Sequence, residues 1–228
     1  MSTEYVVEFQ STSYVAHGKP VFIPPDLSFD RVIQLELNEE DSIILPNRFI
    51  LKIEDPDNKD LFDNEVAVYD RLRSLQGDII PEFLGVASIA GKRALLLSDI
   101  GGMAMMRAEM PRFDNAKLKE LLVRPVDLVR KQGIALGDLS MCNVHWCGDA
   151  FRLVDFAHAR TISPQDPANL VRDQVDDLVK CFQARKDALL QIAKLASRRT
   201  RRRSAKRSRK TARATTSATA NGDDASVV

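Results

Sequence analysis

The stretch GIALGDLSMCNVHWCGDAFRLVDFAHAR, Gly133 to Arg160, decides how the rest of this 228-residue chain is read. It holds Asp138, Asn143 and Asp155, and between the last two NVHW and FRLVD flank CGDA, the pattern of a tight β-hairpin. Phosphoryl transfer from a nucleotide needs a cation on the phosphates, oxygen ligands for Mg²⁺ and a carboxylate beside the incoming hydroxyl. Mg²⁺ is a hard ion that keeps several waters, so one Asp and one Asn carbonyl suffice from the protein. The three polar residues of this stretch supply that set.

GDLSMCNV has the D-x-x-x-x-N spacing of a kinase catalytic loop, and LVDFA ends in the Asp-Phe at which kinases place a metal-binding aspartate. On these residues the chain resembles the protein-kinase-like superfamily, in particular the branch of aminoglycoside phosphotransferases and fungal kinase-like proteins. That branch often reads H-G-D-L-x-x-x-N where this chain reads LGDLSMCN. The resemblance extends upstream over roughly residues 30 to 190: FILKI is similar to the strand that carries a phosphate-binding lysine, and DNEVAVYDRL to the helix that offers it a glutamate.

The resemblance implies roles for named residues. Lys52 contacts the α- and β-phosphates of ATP and is oriented by Glu65. Asp138 takes or positions the proton of the substrate hydroxyl. Asn143 and Asp155 hold Mg²⁺. The backbone at Ser98, Asp99, Ile100 and Gly101, in RALLLSDIGG, meets the adenine. The implied fold is α+β and two-lobed: a small β-rich N-lobe over 29–100, a reduced helical C-lobe over 101–196 and a disordered basic tail over 197–228. Departures from the family pattern are plain. No G-x-G-x-x-G precedes Lys52, and the candidate segment LELNEEDSIIL has no glycine. Leu136 stands where many kinases keep a histidine, and Ala157 where they keep the glycine after Asp-Phe.

Local patterns place these residues on elements. RVIQLEL alternates apolar and polar groups as a half-buried strand does, and RFILKI sets Phe49, Leu51 and Ile53 on one face against Ile50 and Lys52 on the other. DNEVAVYDRLRSLQG reads as a helix capped by Asp63, with Val66, Tyr69, Leu72 and Leu75 as its apolar stripe. NAKLKELLVRPVDLVRKQG is helical on both sides of Pro125, where a break or kink is expected. IPPD interrupts residues 1–28, which read as an extended N-terminal arm. From Pro164 to Ala196 the spacing of Val171, Val175, Leu178, Val179 and Phe182 is helical.

Composition bounds the class. At 44% hydrophobic and 29% charged, the chain is ordinary for a globular protein. Its net charge of +1 hides an asymmetry. Ten of the 33 basic residues fall between Arg198 and Arg213 with no acid among them, and only two of the 32 acids follow. Residues 1–197 therefore carry 23 basic against 30 acidic groups, a net of −7. Three cysteines do not make a disulfide framework and fit a reducing compartment. MSTEYVVEFQ lacks the apolar core of a secretory signal, and no run reaches the ~18 apolar residues a membrane span needs. An intracellular protein, in nucleus or cytoplasm and without a membrane partner, is expected.

Cys142, His145 and Cys147 raise a zinc reading, but three ligands on a two-stranded hairpin point alternate ways, and packing is the better expectation. The basic tail suits a nuclear-import receptor or nucleic acid as partner, with import favoured. Two functions follow: an ATP- and Mg²⁺-dependent phosphotransferase acting on a hydroxyl of a protein or small molecule, or a pseudokinase that binds nucleotide or a partner without turnover.

Overall fold

The computed structural model describes residues 2–21, 31–37, 45–163 and 169–219, with side chains over the last span from Val171 to Arg198. Two compact units divide the chain, Met1–Phe182 and Gln183–Val228.

The first unit opens with two strands where an arm was expected. Strands β1 (Thr3–Phe9) and β2 (Thr12–Pro20) pair in register from Thr3 opposite Gly18 to Phe9 opposite Thr12. Their turn is Gln10-Ser11, both at positive φ (49° and 64°), the left-handed geometry a two-residue hairpin needs to match strand twist. Alternation then buries Val7, Phe9, Tyr14 and Ala16 on one face. Strands β3 (Val32–Leu37) and β4 (Arg48–Ile53) continue the sheet. Helix α1 (Lys59–Arg71) follows, then a 3₁₀ turn at Arg73–Leu75. Strands β5 (Phe83–Ile89) and β6 (Lys92–Ser98) form a second tight hairpin over Ala90-Gly91.

The order β1-β2-β3-β4-β6-β5 closes on itself through β1 and β5, Val7 opposite Ile89, to give a six-stranded antiparallel barrel. Closure leaves no free sheet edge. Its interior holds Leu35, Phe49, Leu51 and Leu96 together with the buried residues of β1 and β2. This overturns the expected two-lobed protein-kinase-like fold with a small β-rich N-lobe and a reduced helical C-lobe. The sheet is a closed barrel built with the first twenty residues, and only three α-helices occur among the described residues.

The remaining elements are β7 (Met103–Ala104), α2 (Asn115–Lys131), β8 (Ile134–Ala135), β9 (Val144–Trp146), β10 (Phe151–Leu153), β11 (Arg160–Thr161) and α3 (Asn169–Thr219). Asp114 caps α2, accepting from the Lys117 N–H at 2.8 Å, and the helix runs through Pro125 as one element rather than breaking there. Strands β10-β9-β7 form a small sheet, and β11 pairs with β8. A second core joins the outer face of β6, at Leu95 and Leu97, to Tyr69 and Leu72 of the α1 region, Leu122 and Val126 of α2, Phe151 and Phe156, and Val175 and Phe182 of α3. The disordered tail expected over 197–228 lies mostly outside the described side chains, and residues 220–228 lie outside the described residues altogether.

Candidate functional site

Strand alternation places Lys52. Phe49 and Leu51 of β4 point into the barrel and are fully buried, so Ile50 and Lys52 point out of it, toward α1 and the second core. Helix α1 starts five residues earlier than expected, at Lys59 after the cap position Asn58. Asp63 is therefore not its cap; it pairs with Arg93 at 2.8 Å. The helix buries Phe62, Glu65, Val68 and Tyr69 on one face.

Glu65, 1% exposed, meets Lys52: Nζ lies 2.6 Å from Oε2. The same Nζ lies 2.9 Å from Asp155 Oδ1. Glu65 Oε1 accepts from the Phe156 N–H at 3.2 Å, so one buried carboxylate ties β4 to the turn at Asp155-Phe156. Burial pushes the Glu65 carboxyl up, against the pull of Lys52. Burial alone would lower the Lys52 ammonium, but Glu65 and Asp155 outweigh it and hold Lys52 above its ordinary value.

Asp155 sits at φ 63°, a left-handed conformation rare outside glycine. Three contacts hold the segment after it. Phe156 packs edge-on against Tyr69, with centroids 5.2 Å apart. Asn64 Nδ2 donates to the carbonyls of Ala157 and Ala159, both at 2.9 Å. Gly137 meets the His158 carbonyl so closely that a Cβ there would lie 1.9 Å from the oxygen.

Asn143 is buried, and its Nδ2 donates to Asp138 Oδ2 at 3.0 Å and to the Asp138 carbonyl at 3.1 Å. Its own carbonyl accepts from the Val154 N–H at 3.0 Å, which sets it beside the strand that leads to Asp155. Leu136 is buried, and its carbonyl accepts from Gln174 Nε2 at 2.7 Å, so α3 braces the segment before Asp138.

A cleft of about 640 Å³ gathers most of the expected residues: Lys52, Glu65, Asn143 and Asp155 together with Ser98, Asp99, Ile100 and Gly101. Asp138 is exposed and is not among its lining residues. Asp99 is committed to structure: its carboxylate accepts from Gln34 Nε2 at 2.7 Å and from the Gly101 N–H at 2.9 Å, and lies 3.5 Å from Arg48. Ser98 Oγ likewise accepts from the Glu82 N–H at 2.8 Å. The Gly101 N–H is thus occupied by Asp99. Of the segment LELNEEDSIIL, considered for a phosphate loop, Leu35, Leu37 and Leu45 face the barrel interior, and 38–44 lie outside the described residues. Lys19 and Val21 at the end of β2, and Val32 and Gln34 of β3, line the cleft.

Sequence reading missed Asn64, Gln34 and Gln174, and weighed His145 only as a zinc ligand or packing residue. His145 lines the cleft, its Nδ1 is buried without a hydrogen-bond partner, and burial pushes its pKa down. Among the described residues no group of three or more His, Cys, Asp or Glu side chains is placed to hold a metal. The fit to Mg²⁺ is of another kind. Asn143 and Asp155 are two oxygen donors on one cleft, the number such an ion takes when waters and phosphates complete its shell. No helix among the described residues is long and apolar enough to cross a membrane. No protein-family model matches the chain, and no curated protein matches it.

Proposed function

We propose that the cleft binds ATP with Mg²⁺ and that the chain transfers the γ-phosphoryl group to a hydroxyl of a protein or small molecule. The observation that carries this reading is Lys52 Nζ held between Glu65 at 2.6 Å and Asp155 at 2.9 Å on the wall of a cleft that also takes in Asn143. The support is this constellation, together with the resemblance of its motifs to the protein-kinase-like superfamily, and not the architecture of the chain.

Glu65 fixes Lys52 as a point charge for phosphate oxygens. Asp155 and Asn143 would hold Mg²⁺ through a carboxylate and an amide oxygen. Mg²⁺, when bound, neutralises charge on the phosphates. Asp138, exposed to an arriving acceptor and tethered by Asn143, takes the hydroxyl proton. The acceptor oxygen bonds to the γ-phosphorus as the bond to the bridging oxygen breaks, and nucleoside diphosphate leaves.

A second reading, nucleotide binding without turnover, is favoured by one observation: Asp138 stands outside the cleft lining with a carboxylate oxygen already engaged by Asn143. Transfer of label from γ-labelled ATP to the protein, to water or to added alcohols separates the two. Asp138→Asn is expected to lower the rate about 10²–10⁴-fold with nucleotide affinity within about twofold. Binding without any transfer supports the second reading, and absence of binding contradicts both. The ten cations from Arg198 to Arg213 support a nuclear-import receptor as partner of the tail.

A further inference from the structure

Most charged groups of the cleft are committed. Lys52 is held by Glu65 and Asp155, and Asp99 by Gln34, Arg48 and the Gly101 N–H. Among the described residues, the other Lys and Arg side chains of the lining are Lys19 and Arg107. Lys19 stands opposite Gln34 in the register of β2 and β3, one strand from the amide that holds Asp99, so it belongs with the segment Ser98 to Gly101. Arg107 is placed differently. It lies in the turn after β7, its N–H donating to the Ala104 carbonyl at 2.9 Å. That turn is fastened to the loop of Asp138 and Asn143: the Met106 N–H donates to the Met141 carbonyl at 3.1 Å, and Met106 Sδ lies 3.1 Å from Cys142 Sγ. The Arg107 side chain is 47% exposed and meets Glu109, itself 64% exposed, at 3.7 Å. So long a contact between two solvated groups holds the guanidinium weakly. Arg107 is thus a cation of the cleft beside the loop that carries the proposed base and still able to take an anion.

The transfer gives such a cation a task. The γ-phosphoryl oxygens and the Asp138 carboxylate are both negative, so an anionic acceptor is repelled from them unless a positive group meets it. The guanidinium fork matches the paired oxygens of a carboxylate or phosphate. We propose that Arg107 is a specificity-determining residue for the acceptor, and that the acceptor is a small alcohol carrying an oxyanion, phosphate or carboxylate. Arg107 grips the oxyanion while the hydroxyl reaches Asp138. The inference rests on the phosphotransferase reading and adds a substrate class to it. The acceptor oxygen bonds to the γ-phosphorus, the bond from that phosphorus to the bridging oxygen breaks with ADP as leaving group, and the hydroxyl proton passes to Asp138. The oxyanion of the acceptor is unchanged by the step.

The test is transfer of label from γ-labelled ATP with Mg²⁺ by the full chain, to two matched pairs of alcohols: glycerol with glycerol 3-phosphate, and ethylene glycol with glycolate. In at least one pair the wild type is expected to favour the anionic member in kcat/KM by about tenfold or more, the size of a charge-assisted hydrogen bond. Arg107→Ala brings the anionic member down to its neutral partner, chiefly through KM. Arg107→Lys, which keeps the charge and loses the fork, retains part of the preference. ATP affinity by calorimetry, transfer to water and the melting temperature stay at wild-type values in both variants. Equal or better transfer to the neutral member of both pairs, or an undiminished preference in Arg107→Ala, overturns the proposal and leaves the phosphotransferase reading standing. Loss of ATP affinity in Arg107→Ala also overturns it, because the residue then serves the nucleotide. ATP binding with no transfer to any of the four alcohols contradicts the substrate class. Absence of ATP binding to the wild type overturns the phosphotransferase reading and this proposal with it.

Discussion

Lys52 Nζ and Glu65 Oε2 stand 2.6 Å apart, joining a barrel strand to the buried face of a helix thirteen residues later. The carboxylate is almost fully desolvated, so its cation is not replaceable by water. Lys52→Met is expected to destabilise by about 3 kcal/mol, because it leaves an unpaired buried charge. The double variant Lys52→Met, Glu65→Leu regains most of that loss. Urea denaturation of both measures the difference, and equal midpoints for single and double variants would contradict the pairing.

Two groups give the stability curve opposite limbs. Lys52 is held above its ordinary value of 10.5 by Glu65 and Asp155 against burial. Its contribution is complete below 10.5 and is lost as pH rises through the folded value. Asp55 is held down to about 2 from 3.8, first by hydrogen bonding to Arg31, then by Asn58 and the Asp57 N–H. Its contribution is present above 3.8 and is lost as pH falls toward about 2. Asp55→Asn flattens the acid limb and leaves the alkaline one; thermal melts across pH read both.

Asp155, proposed to hold Mg²⁺, sits at a φ of 63°. Asp155→Ala and Asp155→Gly remove the same carboxylate, but only glycine accepts that backbone angle freely. The glycine variant is expected to be about 1 kcal/mol more stable than the alanine variant. Both lose Mg²⁺-dependent nucleotide binding. Similar melting of the two would show that the left-handed turn is not kept in the variants.

Gly137 precedes Asp138 and touches the His158 carbonyl. Gly137→Ala drives a Cβ into backbone and is expected to cost about 1–3 kcal/mol. It also separates the loop that carries Asp138 from the turn after Asp155, so phosphoryl transfer falls more steeply than ATP affinity. A variant with unchanged melting temperature and rate would contradict this contact.

What was legible in the sequence was local. Period-two alternation in RFILKI put Phe49 and Leu51 on one face and Lys52 on the other, and the hairpin around CGDA followed from its flanking strands. The first hairpin was not legible, because Gln10-Ser11 lacks the Asn-Gly signal of a turn with two positive φ angles. Barrel closure rests on Val7 meeting Ile89, a pairing that no local pattern encodes. The start of α1 was misplaced because Asp63 looks like a cap while Asn58, which holds the position, makes no side-chain cap bond. Lys52, Glu65, Asn143 and Asp155 were nameable from motif spacing. Their braces, Asn64 on the Ala157 and Ala159 carbonyls and Gln174 on that of Leu136, are single amides far away in sequence and carry no pattern.

The most direct test of the central claim is calorimetry of ATP binding to the wild type and to Asp155→Ala, each with and without Mg²⁺. The account predicts that Mg²⁺ strengthens binding to the wild type at least tenfold and has no effect on Asp155→Ala. Absence of ATP binding to the wild type in either condition, or an equal Mg²⁺ effect in both proteins, would contradict it.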